Sequence, residues 1–560
     1  MNTVKASTES QKLNQLFDKE WSYLMKTYPT WAYSLGHKSA ARLWSDNSIH
    51  AYEKRRAHNK NYLKQLKKIQ RKKLSKQDKL SYDLDLYQTQ LSVDGQAFDS
   101  YLFPVTQLWG PQQGPPRTIN QMPKKNKKNY TDILERLKNL PKYVDQTTEL
   151  LKIGLSKGVT PPQISIKSVP DQILALTTED MNKHPMYRPF LEMPKSVKNK
   201  TYFQNEAKKI LINKVNPTYK KLYGFFKGKY LPGSRKSISF SALPNGKKWY
   251  SQKVREMTTT DLSPDEIHKI GLSEVQRIKK EMNQIIVGLK FKGSFKEFLT
   301  FLKTDSQFFY KKKNDLLMGY RDIAKRADAK IPQLFNLMPR LPYGIEPVPS
   351  YSEKAQTTAY YVRGSIEAGR AGLFYANTYK LDSRPKWEME ALTLHEAVPG
   401  HHLQISIAKE LTGIPNFRKH GHFTAYVEGW GLYAESLGEE LGFYKDPYSK
   451  FGQLTYEMWR AVRLVVDTGM HSKGWTRKQS IEYFNKYTGK TKHDIEVEVD
   501  RYIVMPAQAL AYKIGELKIK ELKKYRQKKL GDQFDIREFH DQILDAGALP
   551  LSLLEAKLKL

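Results

Sequence analysis

The chain has 560 residues, 39% hydrophobic and 12% aromatic, which is enough to bury a core and excludes global disorder. It has no run of about 18 apolar residues and so no transmembrane helix, and no Cys, which excludes disulfides, thiolate metal sites, iron–sulfur clusters and a Cys nucleophile. The net charge is +36, but 71 of the 94 basic residues are Lys, a solubilising pattern rather than the Arg forks of base readout, so no nucleic-acid partner is expected.

The first ten residues are polar and contain no apolar leader core. Two expectations follow: a cell-envelope or periplasmic protein whose leader has been removed, or a cytoplasmic one. The basic surface is compatible with association with an acidic envelope surface. Residues 13–28 and 51–69 carry apolar residues at helical spacing, and 84–91 continues the pattern. The stretch 51–75 holds ten basic residues and one acid, as a solvated helix face does. Between 98 and 128, Pro104, Gly110, Pro111, Gly114, Pro115 and Pro116 predict a long irregular segment. Helices resume at 130–153, and a second broken region runs 159–194. Pro244-Asn245-Gly246, followed by Trp249, Tyr250 and Val254, predicts a hairpin over 240–258. Ser263-Pro-Asp-Glu266 is a capping box opening a helix over 265–287, and Thr476-x-x-Gln479 opens another. Strands are expected near 240–254 and 357–379. We expect an N-terminal helical lobe over about 1–250 and a catalytic lobe over about 251–560.

Histidines cluster. Seven of the 13 fall between His395 and His493, and five between His395 and His422. The segment His395-Glu396-Ala-Val-Pro399-Gly400-His401-His402 is like the zincin pattern His-Glu-x-x-His with two extra residues. In that pattern two His bind zinc and the Glu is the general base toward its water. Six residues of regular helix give about 9 Å of rise and about 240° of rotation, so His395 and His401 would point apart. His402 returns to the face of His395 but about 10 Å away. Pro399 and Gly400 permit a bulge that returns His401 to the metal. His401 is preferred to His402 as second ligand. Glu428, 27 residues beyond His401, is the expected third, with Glu435 on the same helical face hydrogen-bonded to a ligand His.

The β-prone run 373–379 precedes this helix and is expected to bind an extended peptide by strand addition, with Tyr375 and Asn377 as substrate contacts. Downstream, Glu457, Arg460, Arg463, Asp467 and His471 share a helix face, and Arg463–Asp467 is spaced as an ion pair. His471, Tyr502 and Tyr512 are candidate donors to a tetrahedral intermediate, and Arg501 is a candidate clamp for a peptide carboxylate.

The segments 395–404, 428–435 and 501–512, with weaker likeness at 13–28, 44–47 and 258–270, resemble the bacterial family catalogued as domain of unknown function 885. Members carry a Pro-Gly-x-Phe-like stretch where this chain has Ala371-Gly-Leu-Phe374. The resemblance implies a mainly α-helical, zincin-like metallopeptidase fold with a deep cleft and a few short strands, and a secreted protein or lipoprotein. The expected activity is zinc-dependent hydrolysis of short peptides, of carboxypeptidase type, with Zn2+ on His395, His401 and Glu428 and Glu396 as base. The alternatives are a metal-dependent hydrolase of a non-peptide amide, a non-catalytic zinc-binding envelope protein and a basic nucleic-acid binder.

Overall fold

A computed structural model describes residues 8–349, 353, 357–366 and 369–559. The chain is mainly α-helical and divides into two compact units, Met1–Lys247 and Lys248–Leu560. Among the described residues no helix is long and apolar enough to cross a membrane.

Among the described residues the first unit is built of helices joined by turns and loops, with no strand. Its longest helix, α1 (Lys127–Ser156), opens on an Asn126 cap and buries Tyr130, Ile133, Leu137, Leu140, Val144 and Leu151 at spacings of three, four and seven. These positions form one stripe, and it packs into the unit's core with Phe203, Ile210, Leu211, Tyr219 and Phe226. The segment 98–128 is not irregular throughout. A helix, Gly114–Gln121, lies within it. Pro115 and Pro116 sit in its first turn, where a missing N–H leaves no hydrogen bond unmade.

The predicted hairpin over 240–258 is a helix, Gly246–Thr258. Asn245 takes the left-handed conformation (φ 54°) and turns the chain into it. Trp249, Tyr250 and Val254 are all buried. Their spacings of one and four fit a helix face and do not alternate as a strand would.

The second unit is built on α2 (Pro264–Gly288), whose Ser263–Glu266 capping box forms as the sequence predicts. It lies along α6 (Pro447–Ser472), which is buried over most of its length. Gly271 lets the two helices approach, since a Cβ there would stand 2.7 Å from Leu464 Cβ. The elements between α2 and α6 include a small sheet and the helices α3 (Met389–Glu396), α4 (His401–Glu410) and α5 (Thr424–Ser436). After α6 follow α7 (Lys492–Val504) and α8 (Ala511–Leu530), the latter packed on α5.

The sheet has strands β1 (Tyr343–Pro347), β2 (Ala359–Val362) and β3 (Gly372–Ala376) in the order β1-β3-β2. β1 pairs parallel to β3, and β2 pairs antiparallel to it with Tyr361 opposite Phe374. β3 is therefore the central strand. Both of its edges are hydrogen-bonded, so strand addition along 373–379 has no free edge to use. Of the two outer strands, β2 packs against α3.

Candidate metal centre

The helix carrying His395 ends where the sequence contains Pro399. α3 stops at Glu396, and Ala397 turns the chain with φ −98° and ψ −112°. The Val398–Pro399 peptide is cis. α4 then starts at His401. The connection is closely held: the His402 N–H donates to the Ala397 carbonyl at 3.1 Å, and Trp430 Nε1 of α5 donates to the Pro399 carbonyl at 2.8 Å. Gly400 is required by space, because a Cβ there would stand 1.9 Å from the His395 carbonyl oxygen. The expected bulge is thus a full break, and the two histidines sit on separate helices.

The break brings His395 and His401 together with their ring centroids 4.6 Å apart. Glu428 comes in from α5, with Oε2 3.9 Å from His395 Nε2 and 3.5 Å from His401 Nε2. One ligand atom from each of the three residues lies within 4.8 Å of the others. His402 points elsewhere. Its Nδ1 accepts from the Tyr361 hydroxyl at 2.9 Å, its ring lies against Tyr343, and burial lowers its pKa to about 4. We expect His401→Ala to abolish tight metal binding and His402→Ala to retain most of it, as measured by metal content after dialysis. The reverse result would make His402 the ligand.

The sequence around Glu428 follows from what α5 must fit. Gly429 meets Gly515 of α8, and a Cβ at 429 would lie 2.5 Å from the Gly515 Cα. Gly431 lies under the His395 ring, and a Cβ there would reach His395 Cε1 at 2.7 Å. One turn on, Glu435 Oε1 accepts from His395 Nδ1 at 2.7 Å. This bond fixes the tautomer and leaves the Nε2 lone pair facing Glu428 and His401.

The donor set suits a small divalent cation. Two imidazoles and one carboxylate form a three-ligand set that leaves a coordination position free, as catalytic zinc sites do. Burial, reinforced by His401, Arg460 and Arg463, holds the His395 pKa well below that of free histidine. Burial works against charge on Glu428 and His401 too, but each stabilises the other. The Glu428 carboxyl lies below its usual range and the His401 imidazole above it. Glu435 is pushed up to about 8, chiefly by burial and against the pull of Arg460. The Glu396 carboxyl is raised by burial, with Glu428 adding to the rise and His401 opposing it.

The other predicted residues have varied surroundings. His471 is fully buried, its Nε2 bonded to the Tyr502 carbonyl at 3.0 Å and its ring against Tyr250. The Tyr502 hydroxyl donates to Glu498 and accepts from Arg463 Nε at 2.8 Å. Both side chains join α6 to α7 and have no donor left for a substrate. Arg501 is engaged as well, with Glu498 at 3.1 Å and Gln508 at 2.6 Å. Tyr512 differs: it is half-buried, its ring lies 4.6 Å from the Arg463 guanidinium, and the Glu428 charge raises its pKa further after burial. The expected Arg463–Asp467 pair does not form. Arg463 bonds Glu498 at 2.9 Å, and Asp467 accepts from the Tyr250 hydroxyl at 2.6 Å and the Ala507 N–H at 3.0 Å. Asn377 is buried and ties its own loop, donating to the Glu353 and Thr357 carbonyls. The Tyr375 ring stacks on Tyr360, 5.2 Å away.

Two basic residues near the cluster escape sequence reasoning. Arg363 follows β2, and His422 precedes α5. Both are solvent-exposed, yet surrounding protein depresses both pKa values, burial being the leading cause. The proximity of His422 to His401 in sequence was the one available signal.

Comparison with functionally curated proteins finds no match. Among solved structures, a "putative lipoprotein" from Colwellia psychrerythraea is 27% identical, with 99% of each chain covered and a TM-score of 0.93. A second "putative lipoprotein of unknown function", from Shewanella oneidensis, is 17% identical over 98% of this chain and 99% of its own, with a TM-score of 0.69, a likeness of fold alone. The description "bacterial protein of unknown function (DUF885)" matches residues 29–558. With that match spanning both units and every residue of the His–His–Glu cluster, the chain belongs to the bacterial family DUF885.

Proposed function

We propose that the protein is a zinc-dependent peptidase acting on short peptides. The observation that carries this reading is the convergence of His395, His401 and Glu428, with the buried Glu396 carboxyl, next to His395 in the chain, feeling the charges of His401 and Glu428. A site built only to hold a metal needs no adjacent carboxyl outside the ligand set. Zinc held by these three ligands would supply Lewis acidity toward a carbonyl and toward water.

The chain's own residues carry the remaining steps. The Glu396 carboxylate takes a proton from the attacking water and returns it to the leaving amine. Its raised pKa brings it closer to neutrality, where one group both accepts and donates efficiently. The Tyr512 hydroxyl is the remaining donor for the developing oxyanion, since Tyr502 and His471 are engaged elsewhere. Extended substrate runs along the open edge of β2, not along β3. The Tyr361 amide of that strand already acts on the Glu396 carboxyl. In keeping with the description of its structural relatives, we place the protein in the cell envelope.

The test is incubation of the zinc-loaded protein with a diverse peptide mixture, with the cuts read by mass spectrometry. Metal-dependent cleavage of short peptides, with folded proteins spared, is expected. Absence of any cut at saturating zinc would reject the peptidase reading.

A further inference from the structure

Three arginines act electrostatically on the cluster: Arg363, Arg460 and Arg463. Two of them have acidic partners. Arg460 lies 3.7 Å from Glu435, and Arg463 bonds Glu498 at 2.9 Å. Both are buried on α6. Arg363 is the exception in both respects. Among the described residues no acid pairs with its guanidinium and no carbonyl accepts from it, although its backbone carbonyl accepts from Arg370. It is also exposed.

The position of Arg363 is defined by its neighbours. Lys409 of α4 holds the next residue by donating to the Gly364 carbonyl at 2.8 Å. Gly364 itself fits tightly, since a Cβ there would stand 2.6 Å from the Gly372 N. The backbone at the end of β2 is therefore pinned between β3 and α4, while the Arg363 side chain remains free. Two residues earlier, the Tyr361 side chain is tied to His402. An arginine whose charge acts on the cluster but that has no counter-ion among the described residues is an incomplete arrangement. Its planar fork matches a carboxylate, and an incoming anion completes it.

We infer that Arg363 is the substrate-anchoring residue of this site and that it recognises a carboxylate near the scissile bond. This inference rests on the peptidase reading above and specifies its substrate class. The distance is set by the strand. Two steps from Tyr361 to Arg363 are about 7 Å, the length of about two residues of extended peptide. The carboxylate therefore lies about two residues or fewer from the bond that is cut. It is either the α-carboxylate of the substrate's C-terminus or an Asp or Glu side chain. The anchor proposed from sequence, Arg501, is replaced by Arg363 because Arg501 already holds Glu498 and Gln508.

The experiment uses the full chain carrying Glu396→Gln, loaded with zinc, so that binding is read without turnover. A peptide cleaved by the wild type is labelled and prepared in four forms: free acid, C-terminal amide, and each of these with every Asp and Glu changed to Asn and Gln. Fluorescence anisotropy gives Kd for each form, with and without Arg363→Gln. Charge-assisted hydrogen bonds of this kind correspond to about 10- to 100-fold in affinity. We expect one of the two changes, amidation or side-chain neutralisation, to weaken binding by that factor. The form that weakens identifies the source of the carboxylate. Arg363→Gln should weaken the free-acid peptide equally and leave the neutral peptide unchanged, and Arg363→Lys should restore part of the loss.

Equal Kd for all four forms, or unchanged binding in Arg363→Gln, overturns the anchor. If the wild type cuts no peptide, the same measurement is made on a random free-acid peptide pool. Carboxylate-dependent binding that Arg363→Gln abolishes then upholds the anchor while the peptidase reading falls. Absence of such binding overturns both.

Discussion

Replacing Glu396 with Gln should lower turnover of a cleaved peptide by about 10²–10⁴ while the metal content stays at the wild-type level. The substitution keeps the length and volume of the side chain and removes only its capacity to accept a proton. Glu396 supplies none of the three converging donor atoms, so coordination should not change. The residue closes α3 at a buried position, where a neutral amide is tolerated at least as well as a carboxyl whose ionisation burial already opposes. Glu396→Asp, which withdraws the carboxyl by one methylene, should fall between the two. The measurements are kcat on one defined peptide and elemental analysis of the same sample. Wild-type turnover in Glu396→Gln would remove the general-base assignment. Loss of metal in the same variant would show that Glu396 belongs to the ligand set.

The second large effect concerns stability. Lys513 of α8 is completely buried, with Nζ 2.9 Å from Glu274, 2.6 Å from Glu457 and 2.7 Å from Glu516. Arg277 bridges Glu274 and Glu457, and Lys520 reaches Glu516. Acids and bases from α2, α6 and α8 thus meet here, with Lys513, Glu457 and Glu516 buried and Arg277 and Lys520 reaching solvent. Lys513→Met fits the space but leaves one negative charge without a counter-ion, which costs about 3–5 kcal/mol. We expect that loss in the unfolding free energy from urea titration. Lys152→Ala, which removes an exposed i,i+3 pair with Glu149, should change it by less than about 1 kcal/mol. A small loss in Lys513→Met would mean that water or a shifted Lys520 replaces the buried charge. Because Tyr512 immediately precedes Lys513, the network also sets where that phenol stands relative to Glu428.

The site was legible where chemistry and spacing coincide. A Pro-Gly pair between two histidines cannot continue a helix, so a return of His401 toward His395 could be argued from residue types alone. Glu428 and Glu435 could be placed on one face by pitch alone. The sheet order was not legible. Residues 373–379 have the composition of a strand, but nothing local says that β1 and β2 occupy both of its edges. β1, Tyr-Gly-Ile-Glu-Pro, carries too weak an alternation to be found. Trp249, Tyr250 and Val254 were misassigned because a Pro-Asn-Gly turn precedes them, and such turns open helices as well as hairpins. Partner choice among charged residues was the least accessible. Arg463 has Asp467 one helical turn away and instead bonds Glu498 on another helix. Arg363 is conspicuous only because no acid among the described residues reaches it in three dimensions.

Two parts of the site place different demands on chain length. Glu428, Gly431 and Glu435 are successive positions on one face of α5: a metal donor, a bare floor under an imidazole, and the acceptor for that ring's other nitrogen. A single helix thus works as a jig for the His395 ring. One residue inserted among these positions would rotate whatever follows by about 100° and undo the alignment. The connection between α3 and α4 is held instead by its own contacts, the His402 and Trp430 hydrogen bonds to the Ala397 and Pro399 carbonyls. There the requirement is that the second helix begin where Gly400 can lie against the end of the first. The interval from Glu428 to Glu435 must therefore stay at seven, while the break between α3 and α4 is fixed by what its residues touch.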